Sequence, residues 1–282
     1  MVFPRLVAYL FDVRLASAHS PSSTAPLGAL LRHWRRARHV SQHDLALKAD
    51  TSARHVSFVE TGRARPSRDM VTRLAEALEI PLRERNALLV AAGYAPLYRE
   101  TGLTAPEMEA ARRAVEFILR QQEPYPAIVV SRRWELLMAN KAAAALFQRL
   151  LGGMPRESNM LRLVLRPDLV RPFVSNWEEV AAHMVQRLRQ EMAWSPHDDA
   201  GHALLAEVLS YPGVPTRWQT HEVGSIALPM LTVDFRKGDL TLRFFTTYTT
   251  FGTPLDLTLS ELRIESFFPA DEPTAAACAD LG

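Results

Sequence analysis

Residues 31–96 read LRHWRRARHVSQHDLALKADTSARHVSFVETGRARPSRDMVTRLAEALEIPLRERNALLVAAGYAP, and they decide the fold of the N-terminal part. Leading into this stretch, Leu27, Leu30, Leu31, Trp34 and Ala37 recur at helical spacing, with arginines on the other face. Ser41 with Asp44 three positions on has the form of a capping box, so a second helix runs through Leu45, Ala46 and Ala49. Asp50, Thr51 and Ser52 make a short polar break. Ser52 then caps a third helix, whose inner face is Val56 and Val59 and which ends before Gly62. A fourth helix follows Pro66 and Ser67 and carries Met70, Leu74, Ala77 and Leu78. Pro81 stops it, and a fifth covers residues 82–92 up to Gly93. Two short helices joined by a tight break inside a small all-helical domain form a helix-turn-helix. In that arrangement the third helix offers its N-terminal residues to base edges in the major groove. The backbone N–H groups opening the second helix can hold a phosphate.

Four local features go together here: SQHDLA at 41–46, the turn Glu60-Thr61-Gly62-Arg63, the following Arg65-Pro66-Ser67, and the helix end ALEIP at 77–81. With them the stretch resembles the XRE (phage-repressor-like) helix-turn-helix family. The resemblance implies double-stranded DNA with a palindromic operator as partner, and a homodimer to match its symmetry. It places Gln42 where the family binds phosphate and buttresses the base-reading residues. It places Ser52, Ala53, Arg54 and Ser57 at the exposed positions of the recognition helix. Arg54 is the expected guanine reader, because its fork matches O6 and N7. Ala53 departs from the family, whose members often carry glutamine there, and offers only a methyl contact. His55 is read as packing or touching phosphate rather than a base. Arg63 and Arg65 are expected on phosphates, where they add affinity more than specificity. Arg35 and Glu60 match a structural ion pair between the first and third helices.

The chain around this segment is that of an ordinary globular protein: 282 residues, 48% hydrophobic and 23% charged. Charge is unevenly spread, with 15 Lys and Arg against 9 Asp and Glu in residues 1–100, and 18 against 22 in 101–282. The basic half is the candidate for a polyanionic partner. A single cysteine, Cys278, excludes a disulfide framework and a cysteine-rich zinc site. No apolar run is long enough to cross a membrane, so a cytoplasmic location and no membrane partner are expected. The organisation expected is a flexible extension over 1–25, a helix-turn-helix domain over 26–100, a second domain over 101–272 and a flexible tail over 273–282. Cys278 falls in that tail and is expected to be exposed.

The second domain opens with a helix from about Pro106 to Gln122, with Met108, Ala111, Val115, Ile118 and Leu119 on one face. AIVVS and WELLMA read as two strands, and Asn140 opens an alanine-rich helix. Helices follow around 160–165, 173–192 and 198–209. The period then switches to two: Leu231, Val233 and Phe235 in one strand, Leu240, Leu242 and Phe244 in the next. Leu257, Leu259, Leu262 and Ile264 are read into a last one. Helices on an antiparallel sheet make an α+β domain.

The order strand, strand, Asn, helix resembles the opening of a PAS-like sensor domain. Joined to the helix-turn-helix segment, the chain resembles the MmyB-like transcription regulators. The supporting stretches are PAIVVSRRWELLMANKAAAALF at 126–147, NWEEVAAHMVQRLR at 176–189 and LRFFTTYTTFGTPLDLTLSELRIESFFPADEPT at 242–274. The resemblance implies a regulator whose PAS-like domain binds a fatty-acid-type ligand. An acyl chain needs an apolar tunnel with one or two polar groups at its mouth. Candidate walls are Phe117, Trp134, Leu136, Met138, Phe147, Trp177, Met184, Phe244 and Phe267, each of which is equally readable as plain core. An Arg or Tyr at the mouth would hold a carboxylate. The alternatives are a haem or flavin sensor, or a domain serving dimerisation alone. No cofactor is required by this reading.

No catalytic pattern stands out. His197, Asp198, Asp199 and His202 precede an apolar helical run, where acidic residues cap the helix and complement its dipole. There is no nucleophile elbow, no zinc-binding H-E-x-x-H and no phosphate-cradling glycine loop. An enzyme is therefore not expected.

Overall fold

In the computed structural model residues 9–10, 26–195, 198–220 and 230–279 are described. They divide into two compact units. One holds the described part of 16–101 together with 253–260. The other holds the described parts of 1–15, 102–252 and 261–282.

The first unit has five helices: α1 (Leu27–Ala37), α2 (Gln42–Lys48), α3 (Ala53–Glu60), α4 (Arg68–Ala77) and α5 (Leu82–Ala91). Three helix starts are closed by serine. Ser41 Oγ accepts from the Asp44 N–H at 3.1 Å, Ser52 Oγ from His55 at 3.1 Å and Ser67 Oγ from Met70 at 3.2 Å. Each bond satisfies a donor that a helix otherwise leaves orphaned. The connections are short because His39, Asp50 and Glu79, just past α1, α2 and α4, take left-handed backbone angles that reverse the chain within a few residues. The apolar faces meet in one core of Leu31, Trp34, Leu45, Val56, Leu74 and Leu88, all essentially without solvent exposure. Gly28 lets α1 approach the end of α3 closely, since a Cβ there would stand 2.4 Å from the Glu60 carbonyl oxygen.

The second unit is built on an antiparallel sheet ordered β1-β3-β2-β6-β5-β4. Its strands are β1 (Tyr9–Leu10), β2 (Ala127–Val130), β3 (Leu136–Ala139), β4 (Thr232–Lys237), β5 (Leu240–Thr249) and β6 (Arg263–Pro269). β4 and β5 form a hairpin closed by Gly238 and Asp239, with Gly238 at φ +58°. Between β1 and β2 lies α6 (Glu109–Gln121). Between β3 and β4 come α7 (Lys141–Leu151), α8 (Met160–Leu165), α9 (Trp177–Trp194) and α10 (Asp199–Leu209). In the chain α11 (Leu257–Glu261), most of which belongs to the first unit, precedes β6, and α12 (Glu272–Ala279) follows it. Asn140, buried at the start of α7, joins three elements. Its Oδ1 accepts from Ala143 and Ala127, both at 2.9 Å, and its Nδ2 donates to the carbonyls of Tyr125 at 2.8 Å and Leu119 at 3.3 Å. This α+β arrangement after a five-helix domain is the fold class expected from the sequence.

Several local expectations change. Tyr9 and Leu10, expected within a flexible extension, pair antiparallel with Ala139 and Met138. Leu257 and Leu259 lie in a helix, not at the start of the last strand. Asp256 stops the strand pattern by accepting the Thr258 N–H at 2.8 Å, which nucleates the turn. The expected flexible tail is α12 as far as Ala279: Asp271 accepts from the Thr274 N–H at 2.9 Å, and the Thr274 hydroxyl accepts from Arg243 N at 2.9 Å. Cys278 is therefore buried, not exposed, and burial pushes its thiol up to about 11. The fourth helix of the second domain starts at Trp177 instead of Phe173, because Val174 bridges to Phe235 of β4.

Candidate nucleic-acid interface and ligand cavity

The first candidate surface is the N-terminal end of α3 with the start of α2. Ser52, Arg54, Arg63 and Arg65 are exposed, while Gln42, Ala53, His55 and Ser57 are half-buried. The guanidinium of Arg54 lies 5.2 Å from the ring centroid of Phe58, one turn further along α3. Arg65 reaches back to the end of α5, donating to the Ala92 carbonyl at 3.3 Å beside the Tyr94 ring.

Behind this surface Glu60 organises the scaffold. Its carboxylate accepts from Arg35 Nε at 2.6 Å, Arg35 Nη2 at 3.1 Å and Gln42 Nε2 at 2.8 Å, and Arg32 stands 3.6 Å away. Burial alone would raise this carboxyl, but the bonds from Arg35 and Gln42 and the arginine charges outweigh it. Glu60 is held below the usual carboxylate range. The Glu60 bond raises Arg35 in turn, against the opposing effect of burial. The Arg35–Glu60 pair thus joins α1 to α3, as the sequence suggests. Gln42, matched by resemblance to a phosphate contact, spends its side chain on Glu60 and so ties α2 into the same network.

The second candidate site is a cavity of about 320 Å³ in the other unit, walled mainly by aliphatic side chains of α7, α8 and α9 and by strands β4 to β6. Of the nine walls expected, Trp134, Phe147, Met184 and Phe267 line it. Phe117 does not: it stands 54% exposed on α6. Leu136 and Met138 do not either, being fully buried in β3. Phe244 lies behind the wall, edge-on to the lining rings of Phe235 and Phe267. Trp177 is committed elsewhere: its indole donates to the Val164 carbonyl at 2.9 Å, and the Arg171 guanidinium stacks 3.5 Å from its ring.

Five polar residues line one part of the cavity, and none is among the walls expected from the sequence: His183 and Arg187 of α9, Thr246 and Tyr248 of β5, and Glu265 of β6. Their spacing is the available signal. His183 and Arg187 are four apart on a helix, and Thr246 and Tyr248 are two apart on a strand, so each pair shares a face. The Arg187 guanidinium lies 3.9 Å from the Tyr248 ring and 5.6 Å from the Trp134 ring. Trp134 holds a left-handed φ of 64°, unusual for so large a residue, and its indole donates to Glu191 at 3.0 Å. Glu191 also accepts from Arg263 and faces Arg187 Nε at 3.5 Å. Burial pushes the Glu265 carboxyl up, though the Thr246 and Tyr248 hydroxyls and the charges of Arg187 and Arg263 pull the other way. Burial pushes the Tyr248 phenol up and holds the His183 imidazole down, the latter helped by Arg187. Asp198, expected as a helix cap, does cap α10 through the Gly201 N–H at 3.2 Å and pairs with Arg132 at 3.0 Å. His197 lies outside the described residues.

Residues 111–281, more than half of the chain, match the model of the MmyB-like transcription regulator ligand binding domain. The chain belongs to the MmyB-like transcription regulators. Residues 26–88 of this MmyB-like regulator match a helix-turn-helix domain, which covers α1 to α4 and most of α5. It is therefore a DNA-binding transcription regulator with a C-terminal ligand-binding domain. One solved structure aligned with it is titled "Structure of an RNA-binding Light-Oxygen-Voltage Receptor". The two are 12% identical with a TM-score of 0.25, over 91% of this chain and 62% of that one. That likeness is too weak to carry any argument. No curated protein matches this regulator significantly. Among the described residues, no helix is long and apolar enough to cross a membrane.

Proposed function

We propose that this MmyB-like regulator is a cytoplasmic homodimer that binds a palindromic operator through α3 and takes a fatty-acid-like effector into its cavity. No cofactor is needed for this. The observation that carries the effector reading is the cavity itself: about 320 Å³, apolar over most of its wall and polar at one part, the profile of a pocket for an amphipathic small molecule. On the DNA side, Arg54 reads a guanine, Ala53 gives a methyl contact, and Ser52, His55 and Ser57 border them. Arg63 and Arg65 meet phosphates once Arg65 leaves the Ala92 carbonyl. Gln42 positions the recognition helix through Glu60 and offers its α2 backbone to phosphate.

An effector acts only if it binds two arrangements of the protein with different affinity. The chain supplies a covalent route for this. Residues 253–260 belong to the DNA-binding unit, yet they connect β5, which carries Thr246 and Tyr248, to β6, which carries Glu265 and Phe267. In that segment the Leu257 N–H donates to the Arg99 carbonyl at 2.8 Å, and Asp256 accepts from Thr101 N at 3.5 Å.

The test is mass spectrometry of freshly purified protein, under native conditions and after organic extraction. A stoichiometric acyl-chain adduct is the expected result. A ligand-free protein whose operator binding ignores added fatty acids would refute the effector reading.

A further inference from the structure

The side chains of α3 divide into two faces. Val56, Val59 and Glu60 are buried. At about 100° per residue, Arg54 and Phe58 stand about 40° apart on the helix, roughly opposite the middle of that buried face. Phe58 is half-buried, and among the described residues it is not one of those packed into the core of the five-helix unit. The core therefore does not account for a large ring at this position. Its described ring contact is with Arg54, whose guanidinium lies over it, 5.2 Å from the centroid. Stacking of this kind covers one face of the planar fork and leaves the N–H donors at its edge free. Arg63 and Arg65, just past the end of α3, are exposed and supply positive charge for a phosphate backbone.

We propose that Phe58 is a second base-reading residue, which packs on the 5-methyl group of a thymine at most two base pairs from the guanine read by Arg54. This builds on the reading of α3 as the recognition helix and of Arg54 as its guanine reader. In the major groove the thymine methyl is the distinctive apolar group among the base edges, and an aromatic ring is one of the surfaces that suits it. The spacing fits a pair of neighbouring contacts. Four residues advance about 6 Å along a helix axis, and one base pair occupies about 3.4 Å of duplex. Arg54 thus takes O6 and N7 of the guanine while Phe58 covers a methyl close by. The ring also holds the Arg54 fork before DNA arrives, so less side-chain freedom is lost on binding. Arg54 and Phe58 then recognise a guanine and a nearby thymine as one unit.

The experiment uses the full chain and an operator obtained by in vitro selection. The guanine is located first. 7-Deazaguanine, which lacks the N7 acceptor, replaces each guanine in turn, and the position whose effect disappears in Arg54→Ala is the one Arg54 reads. Each thymine is then replaced singly by uracil, which removes the methyl and keeps the pairing. One uracil in each half-site, at most two base pairs from that guanine, should weaken binding about four-fold, the scale of one buried methyl group. In Phe58→Ala the same uracil should cost nothing, because the partner of the methyl is gone. Phe58→Leu keeps an apolar side chain without the ring and should shrink the penalty. The uracil series on the unmodified protein needs no variant to fold. A series in which no uracil costs affinity would overturn the proposal, as would a sensitive thymine further from the guanine. A penalty of unchanged size in Phe58→Ala would also overturn it and pass the methyl contact to Ala53. The absence of any guanine whose 7-deaza effect depends on Arg54 would instead refute the reading of Arg54, and the proposal with it.

Discussion

Glu60 offers the sharpest test of how the DNA-binding unit is held. Its carboxylate is almost wholly enclosed, with 1% of the side chain exposed, and it accepts three hydrogen bonds at 2.6, 3.1 and 2.8 Å. Glu60→Ala would remove the acceptor common to Arg35 and Gln42. Breaking a fully buried ion pair costs about 3–5 kcal/mol. Arg35 keeps 14% exposure and its bond to the Val40 carbonyl at 3.0 Å, so its stranded charge is partly solvated, and about 2–3 kcal/mol is expected. In a cycle of Glu60→Ala, Arg35→Ala and the double variant, the coupling should be about 2 kcal/mol. The protein has two units, so the readout is amide hydrogen exchange along α2 and α3, not a global melt. The Glu60 carboxyl is depressed in the folded state. It therefore contributes stability above the ordinary carboxylate range, and that stability is lost as pH falls through its lowered value. The coupling should vanish in acid by the same logic. A coupling below about 0.5 kcal/mol at neutral pH, the range of an exposed pair, would refute the argument that burial makes this bridge count.

Gly28→Ala should destabilise the five-helix unit by about 1–3 kcal/mol despite alanine's better helix propensity, because the new methyl meets backbone at 2.4 Å; hydrogen exchange in α1 measures it. Asn140→Ala removes the cap of α7 and leaves buried backbone groups of β2 and α6 unpaired. A loss of about 3 kcal/mol is expected, read by exchange at Ala127 and Ala143. Arg54→Ala should weaken binding to an operator obtained by in vitro selection by about 1–3 kcal/mol and relax the sequence preference. Equal affinity of the unmodified protein for the operator and a scrambled duplex would contradict a reading role. Asp256→Ala should leave dodecanoate binding and basal operator affinity in place while reducing the effect of dodecanoate on operator binding, measured by anisotropy at saturating dodecanoate.

Much of the DNA-binding unit is legible because its signals are local. A serine three residues before the N–H it caps can be read from the sequence, and Ser41, Ser52 and Ser67 each make that bond. The Arg35–Glu60 pair is a long-range contact, and a family resemblance reaches it where spacing does not. In the second unit, periodicity finds the strands but not what their residues face. Phe117 shows the difference. It lies two residues, about 200° of helical rotation, from Val115 on the buried face of α6, so the helical wheel already argues against it as a wall. Glu265 shows the opposite failure. An acidic residue in a strand reads as solvent-facing, and only the pairing of β6 with β5 brings it to the cavity beside Tyr248. Cys278 escapes a sequence reading because an alanine-rich end shows no contrast between an apolar and a polar face, yet its small side chains let α12 bury Thr274 and Cys278.

The placement of residues 253–260 bounds what an effector can do. One backbone hydrogen bond is worth about 0.5–1.5 kcal/mol net, and burying a leucine about 1.5–3 kcal/mol. Among the described contacts of this segment, the Leu257 N–H bond, the long Asp256 contact and the buried Leu257 side chain together amount to about a few kcal/mol. Allosteric coupling energies are typically about 1–3 kcal/mol, so an anchor of this size is neither too weak to transmit a shift nor too strong to be displaced. A ligand at the β5–β6 wall has only to favour one position of the connection by that amount. The five-helix core, closed around Trp34 and clamped at Glu60, can then stay folded in both states. Residues 253–260 are held by a few contacts, and the five-helix domain by a sealed core. On these energies the proposed effector would act through the 253–260 connection and leave the five-helix core intact.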